Sequence, residues 1–122
     1  MGENDVLSVE EKSRIIVDAI REKKGHRIVT IDLSEVDHSI CDTFIICHGE
    51  SSTQIGAITD SIEKRLKEET GIRAHHVEGR QNSQWVLLDY FDVLVHIFLE
   101  ETRSFYKLEE LWADGKVKEI YD

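Results

Sequence analysis

The sequence contains no proline, only two cysteines and no long apolar run. The lack of proline excludes Pro-rich linkers. No stretch approaches the roughly 20 apolar residues of a membrane-spanning helix, and no basic segment followed by an apolar one begins the chain. We therefore expect neither a membrane partner nor a signal peptide. Cys41 and Cys47 lie in or beside a strand-like run, which predicts buried, reduced thiols and a cytoplasmic location.

Basic residues are scarce as well. Lys and Arg number 15 against 25 Asp and Glu, which gives a formal net charge of -10. A surface of this sign repels the phosphate backbone, so we expect no direct contact with nucleic acid. It favours a basic protein as partner, although an acidic surface that only keeps the chain soluble explains the same composition.

Metal-ligand spacings are missing. No Cys-x-x-Cys or His-x-x-x-His pattern occurs, and neighbours such as His75 and His76 point to opposite sides of a strand. Nucleophile motifs are missing too, since no diagnostic spacing surrounds either cysteine. The chain is therefore predicted not to be an enzyme and to need no metal or cofactor.

One alternative keeps a catalytic function open. A strand, the turn at 48–52 and the start of a helix could hold a phosphate, as in nucleotidyltransferases. Glu50 places a negative charge in that turn. Asp89 and Asp92 are separated by two residues, so they would share one metal only if a hairpin brought them together. The alternative is a metal-dependent nucleotidyl or phosphoryl transferase with Ser51, Asp89 and Asp92 at its site.

The length of 122 residues suits one domain, residues 1–122, with residues 1–7 frayed. Ser8 and Ser51 each precede a polar residue by three positions at the start of a helical pattern, which predicts two N-caps. The element order αββαβββα predicts an α/β fold with a mixed five-stranded sheet and flanking helices, packed mainly on one side. Strands are expected at 27–33, 43–48, 72–78, 84–89 and 92–99, and helices at 8–24, 52–70 and 100–114.

The hairpin formed by the last two predicted strands separates two kinds of face. If Asp89 lies opposite Asp92, then Trp85 lies opposite His96. One face is purely aliphatic and predicts burial under helices: Val86, Leu88, Val93, Val95 and Ile97. The other mixes apolar, acidic and imidazole groups, which is typical of an interface: Trp85, Leu87, Asp89, Asp92, Leu94, His96 and Phe98. A helix that covers this second face is the equally weighted alternative.

The C-terminal half resembles a known family. The resemblance extends from about Val9 to Trp112, and it depends on several ordered motifs together. It is carried by Asp42-Thr43-Phe44-Ile45-Ile46, Ser51-Ser52-Thr53-Gln54-Ile55, Glu78-Gly79, Trp85-Val86-Leu87-Leu88-Asp89-Tyr90, Asp92-Val93-Leu94-Val95-His96-Ile97-Phe98 and the segment from Arg103 to Trp112. These motifs resemble the ribosomal silencing factor family, also called Iojap. One departure is Leu99, where many members have proline just before the last helix.

The resemblance implies a fold, a function and a partner. Its members have a nucleotidyltransferase-like fold without the catalytic residues, and homodimers are common. They repress translation by binding a basic ribosomal protein on the joining face of the large subunit, where they block association with the small subunit. Some act in large-subunit assembly. An assembly factor contacting RNA through Lys23, Lys24 and Arg27 is therefore a further alternative.

The same resemblance assigns a contact surface. By matching position, the candidates are Glu78, Trp85, Asp89, Asp92, His96, Arg103 and Tyr106. Trp85 and Tyr106 would be apolar anchors, and the carboxylates would pair with Lys or Arg of the partner. Arg103 is expected to organise acidic side chains internally through its guanidinium.

Overall fold

The computed structural model describes residues 8–37, 39 and 41–120, so the predicted frayed segment 1–7 lies outside the described residues. None of the described helices is long and apolar enough to cross a bilayer. In chain order the elements are α1 (Val9–Glu22), β1 (His26–Asp32), β2 (Thr43–Gly49), α2 (Ser52–Thr70), β3 (His76–Glu78), β4 (Trp85–Asp89), β5 (Val93–Leu99), α3 (Glu100–Tyr106), α4 (Leu108–Leu111) and β6 (Lys116–Glu119).

Both predicted N-caps are confirmed. The Ser8 hydroxyl accepts the backbone N–H of Glu11 at 3.1 Å, and the Ser51 hydroxyl accepts that of Gln54 at 3.1 Å. Each bond satisfies one of the free donors in the first turn of its helix. α2 ends at Gly71, whose φ of 80° lets its N–H reach the Lys67 carbonyl at 2.9 Å.

The predicted α/β fold with a mixed sheet is confirmed, but the sheet has six strands in the order β3-β4-β5-β2-β1-β6. The central pair β2–β5 is parallel and every other pair is antiparallel. The prediction of five strands was wrong because it missed β6, in which every residue is exposed. β6 forms by pairing with the edge of β1, and its one apolar residue, Val117, gives no alternation to read.

Two clusters of buried residues lie on opposite faces of the sheet. The first lies beneath α1 and α2 and contains the whole aliphatic face of the predicted hairpin, as expected from its alternation: Val86, Leu88, Val93, Val95 and Ile97. The second is covered by the C-terminal helices and includes Phe44, Ile46, Leu94, Phe98 and Leu108. The helices therefore pack on both sides, not mainly on one side as predicted.

The predicted continuous helix at 100–114 is broken. Lys107 adopts a left-handed conformation with a φ of 49°, which ends α3 and begins the short α4. Because of this break, Phe105 points away from the core and is 79% exposed, whereas Leu108 is buried. Phe105 and Leu108 therefore do not share one buried helix face.

The register of the β4–β5 hairpin differs by two residues from the prediction. Trp85 lies opposite Phe98 and Asp89 lies opposite Leu94. The difference arises at the turn, where the N–H of Asp92 donates to the Tyr90 carbonyl at 2.9 Å. This i to i+2 bond is that of a γ-turn, with Phe91 at its centre at a φ of 71°. A shift of two residues leaves each side chain of β4 and β5 on the face that alternation predicts, whereas Asp92 lies in the turn before β5.

Two glycines with positive φ provide a matched test of the packing. Gly79 has a φ of 86°, and a Cβ there would overlap the Trp85 carbonyl oxygen; Gly71 has a φ of 80° with open space around it. Gly71→Ala should cost about 1 kcal/mol from the left-handed conformation alone. Gly79→Ala should cost about 3 kcal/mol because the overlap adds to that strain. Urea unfolding of both variants measures the difference, and equal losses would contradict the described approach of Gly79 to Trp85.

Candidate protein-binding surface

The two cysteines carry no reactive thiol. Cys41 and Cys47 are free and buried, as predicted. Burial raises the pKa of the Cys41 thiol to about 11 and that of Cys47 to about 12. At neutral pH both remain protonated, and a protonated thiol is a poor nucleophile and metal ligand.

An aromatic cluster surrounds Trp85, at the start of β4. The Trp85 ring centroid lies 4.8 Å from that of Phe98 below it and 4.8 Å from that of Tyr106 on α3. Its indole N–H donates to Nδ1 of His96 at 3.1 Å. Trp85 is half-buried and Tyr106 is 50% exposed, so the cluster runs from the core to the surface.

His96 lies beneath this cluster and is itself buried. An indole N–H can only donate, so Nδ1 of His96 must accept and the imidazole is held in the neutral form. Burial lowers the pKa of His96 from 6.5 to about 4. His96 therefore orients Trp85 and is too buried for a partner to reach, which is the covered arrangement that the sequence left open.

The cover that α3 and α4 provide stops at β4. Trp85, Leu87 and Asp89, alternate residues of β4, remain half-buried on this face, and Glu78 on β3 is exposed with its Cα opposite Leu87. The open face, as we name it, combines these side chains with Tyr106: Glu78, Trp85, Leu87, Asp89 and Tyr106. An apolar centre with an acidic rim is the usual composition of a protein interface.

Asp89 and Asp92 are separated by the turn. Asp89 Oδ1 accepts the N–H of Phe91 at 2.8 Å and stays with the open face. Asp92 faces α1, where both its carboxylate oxygens accept from Lys12 Nζ at 2.8 and 3.0 Å. The predicted pairing of Asp89 with Asp92 was wrong, because the γ-turn takes Asp92 out of the strand. Asp92 is committed to an internal ion pair with α1.

Arg103 fastens the C-terminal helices to the sheet. It is 4% exposed, and its Nε and Nη2 donate to Glu109 Oε2 at 3.0 and 2.7 Å. Its Nη1 donates to the Arg27 carbonyl at 2.8 Å and lies 3.0 Å from Nδ1 of His48. The guanidinium lowers the pKa of Glu109 against the opposing effect of burial. This agrees with the internal role expected from the sequence and leaves Arg103 without surface for a partner.

The geometry opposes the transferase alternative. Ser51 follows the carboxyl end of β2, whereas Asp89 and Asp92 lie at the turn that leads into the amino end of β5. β2 and β5 are parallel, with Thr43 opposite Val93 and Gly49 opposite Leu99. Seven residues of strand place the two groups about 20 Å apart. Across residues 8–37, 39 and 41–120, no three His, Cys, Asp or Glu side chains come together as a metal site.

Two surface residues were not among the predicted site residues. Leu87 shares the alternation of Trp85 and Asp89, so the sequence did contain its signal. Phe91 is 68% exposed at the tip of the hairpin, next to Asp89. No spacing rule marks it, because its position depends on a turn with a positive φ at a bulky residue.

Comparison with known proteins identifies relatives along almost the whole chain. Residues 6–122 match the family described as "Ribosomal silencing factor during starvation". The ribosomal silencing factor of Halalkalibacterium halodurans is 36% identical over 114 residues, which cover 93% of this chain and 96% of that protein.

A solved structure and a more distant relative add to this. The crystal structure of a Chromobacterium violaceum protein matches with a TM-score of 0.83 at 33% identity and covers 88% of each chain. The mouse protein named "Mitochondrial assembly of ribosomal large subunit protein 1" is 26% identical over 114 residues, 92% of this chain and 50% of that protein.

The buried His96 should make stability depend on pH. The unfolded chain takes up a proton near pH 6.5, whereas the folded chain resists it down to about pH 4. The contribution of neutral His96 to the free energy of unfolding is therefore fully present above pH 6.5. It is lost as the pH decreases toward 4, by as much as about 3 kcal/mol. Denaturant unfolding of the wild type and His96→Gln across this range isolates the effect, since other groups contribute to both. Parallel pH profiles would contradict it.

The contacts of Arg103 should contribute far more to the free energy of unfolding than an exposed ion pair does. Arg103→Lys keeps the charge but cannot reach Glu109, Arg27 and His48 together, so we expect a loss of about 3 kcal/mol. Arg65→Lys is the control, because Arg65 pairs with Glu69 at 2.6 Å at the surface and should lose only about 0.5 kcal/mol. Thermal unfolding compares the two variants, and similar losses would refute the fastening role.

Proposed function

Because the chain belongs to the ribosomal silencing factor family, we propose that it represses translation by binding a ribosomal protein on the joining face of the large subunit. The bound domain then occupies space that the small subunit needs. The mechanism is steric and requires no catalytic step, nucleotide or metal. A cytoplasmic location, which the sequence predicts, and a homodimeric form, which the family resemblance implies, remain part of this proposal.

The observation that carries the proposal is the open face. Its centre is Trp85, fixed from below by the hydrogen bond to His96 and from the side by Tyr106. An aromatic side chain already held in its bound orientation loses little entropy on binding, which favours it as an anchor. Leu87 extends the apolar area along β4.

The charges around this face support a basic partner. Glu78 is exposed, Asp89 is half-buried, and the chain as a whole carries a net charge of -10. Such a face attracts Lys and Arg on a ribosomal protein and speeds the encounter with it. Of the seven predicted contact residues, Glu78, Trp85, Asp89 and Tyr106 supply this surface directly. His96 and Arg103 act beneath it by positioning, and Asp92 acts through its pairing with Lys12 at the hairpin turn.

A second candidate function is large-subunit assembly with an RNA contact. The mouse relative is named for assembly of the mitochondrial large subunit. Lys23 and Lys24 are exposed between α1 and β1, and Arg27 is exposed near the start of β1, which gives RNA a small basic patch. Binding of naked ribosomal RNA with a steep salt dependence would favour this candidate.

Co-sedimentation with separated ribosomal subunits tests the proposal. We expect recovery with the large subunit alone, and failure of added small subunit to join it. Glu78→Lys and Tyr106→Ala alter exposed side chains, and each should weaken large-subunit binding by about tenfold or more. Circular dichroism checks that both variants fold.

Val117→Ala is the matched control. Val117 is 47% exposed on β6, at the opposite edge of the sheet, so its removal should leave binding unchanged. Equal weakening by the control variant would show that the open face is not the contact surface. Absence of binding to either subunit by the wild type would refute the proposed function.

A further inference from the structure

The hairpin tip holds a bulky residue in a conformation that favours glycine. Phe91 has a φ of 71°, in the left-handed region where a Cβ is disfavoured. The surrounding residues enforce it. Its N–H donates to Asp89 Oδ1 at 2.8 Å, and the N–H of Asp92 closes the turn on Tyr90. Lys12 fixes Asp92, and Tyr90 is 2% exposed in the core.

This strained turn presents an aromatic ring to solvent. Phe91 is 68% exposed, and its one ring contact within the described residues is with His75, at a centroid separation of 4.2 Å and an interplanar angle of 33°. His75 is exposed too. Neither burial nor turn geometry accounts for a phenylalanine here, since glycine would make the same turn with less strain. Strain of this kind is concentrated at binding sites.

The carboxylate of Asp89, two residues before Phe91, adds a negative charge to this site. Asp89 uses Oδ1 to hold the turn, and its Oδ2 has no partner among the described residues. Because Asp89 is bonded to the N–H of Phe91, a guanidinium that pairs with its carboxylate can also extend over the exposed Phe91 ring. Asp89 also lies in line with Leu87 and Trp85 on one face of β4.

We propose that Phe91, His75 and Asp89 form a second anchor site that binds an arginine of the partner protein and extends the open face to the hairpin tip. This inference rests on the proposed function, because it assigns the same partner a further contact. The ring supplies the stacking surface, and the γ-turn fixes its direction before binding. The aromatic pair could also stack on an RNA base, but the free carboxylate favours a cation.

Substitutions at position 91 separate the ring from the turn. Phe91→Gly and Phe91→Asn both tolerate the left-handed conformation and remove the ring, and each should weaken large-subunit binding about tenfold. Their melting temperatures should equal or exceed that of the wild type. Phe91→Tyr keeps the ring and should bind normally. Val117→Ala is again the control, since Val117 lies on β6 at the opposite edge of the sheet and this variant should bind as the wild type does.

A photo-crosslink identifies the class of partner. The chain with benzoylphenylalanine in place of Phe91 should form an adduct with the large subunit. Protease treatment should remove this adduct, and nuclease treatment should not. The same probe at position 117 should give none. An adduct sensitive to nuclease would overturn the assignment of an arginine-bearing protein, and equal crosslinking from position 117 would overturn the site.

Tyr106→Ala, measured in parallel, distinguishes failure of the second anchor from failure of the proposed function. Weak binding by Tyr106→Ala with normal binding by Phe91→Gly and Phe91→Asn would leave the proposed function intact and refute the second anchor. Loss of binding in both groups supports it. A wild-type chain that binds no subunit refutes the proposed function, and the second anchor with it.

Discussion

The parallel pairing of β2 with β5 is the constraint on which the rest of the structure depends. Every residue of β2 is buried, as are the first six of β5, so both faces of the sheet centre need cover. α1 and α2 supply it on one face. The second face is covered by the short helices α3 and α4 and by Leu33, Val36 and Cys41 between β1 and β2, and this cover does not reach the β3 edge. The open face therefore exists because the cover is incomplete, and its position follows from the strand order.

Buried polar contacts determine how that incomplete cover is held. Arg103 connects α3 to Glu109, to the β1 backbone and to His48 on β2. Trp85 on β4 donates its indole N–H to His96, which is buried on β5. Both interactions connect a side chain outside the sheet centre to a partner buried within it, so they fix how these elements are arranged. The orientation of the surface aromatic side chains therefore depends on these buried contacts.

Sequence reasoning succeeded where a period decides the outcome and failed where a single backbone angle does. The alternation within β4 and β5 assigned the residues of these strands to the correct faces, because a strand repeats every two residues. The register was wrong, since it depends on a positive φ at Phe91. The break at Lys107 was missed for the same reason. An internal role for Arg103 could be foreseen from guanidinium chemistry, but its partner Glu109 depends on that break.

The shortness of α3 and α4 has a consequence for how the surface behaves over time. Helices of seven and four residues have no independent stability in water, so each persists only through its contacts with the sheet. Such segments open locally at a lower free energy than the central strands do. Tyr106 belongs to one of them, so part of the open face fluctuates between ordered and open forms. A partner that selects the ordered form would slow amide exchange in this segment well before it changed the exchange of β2 or β5.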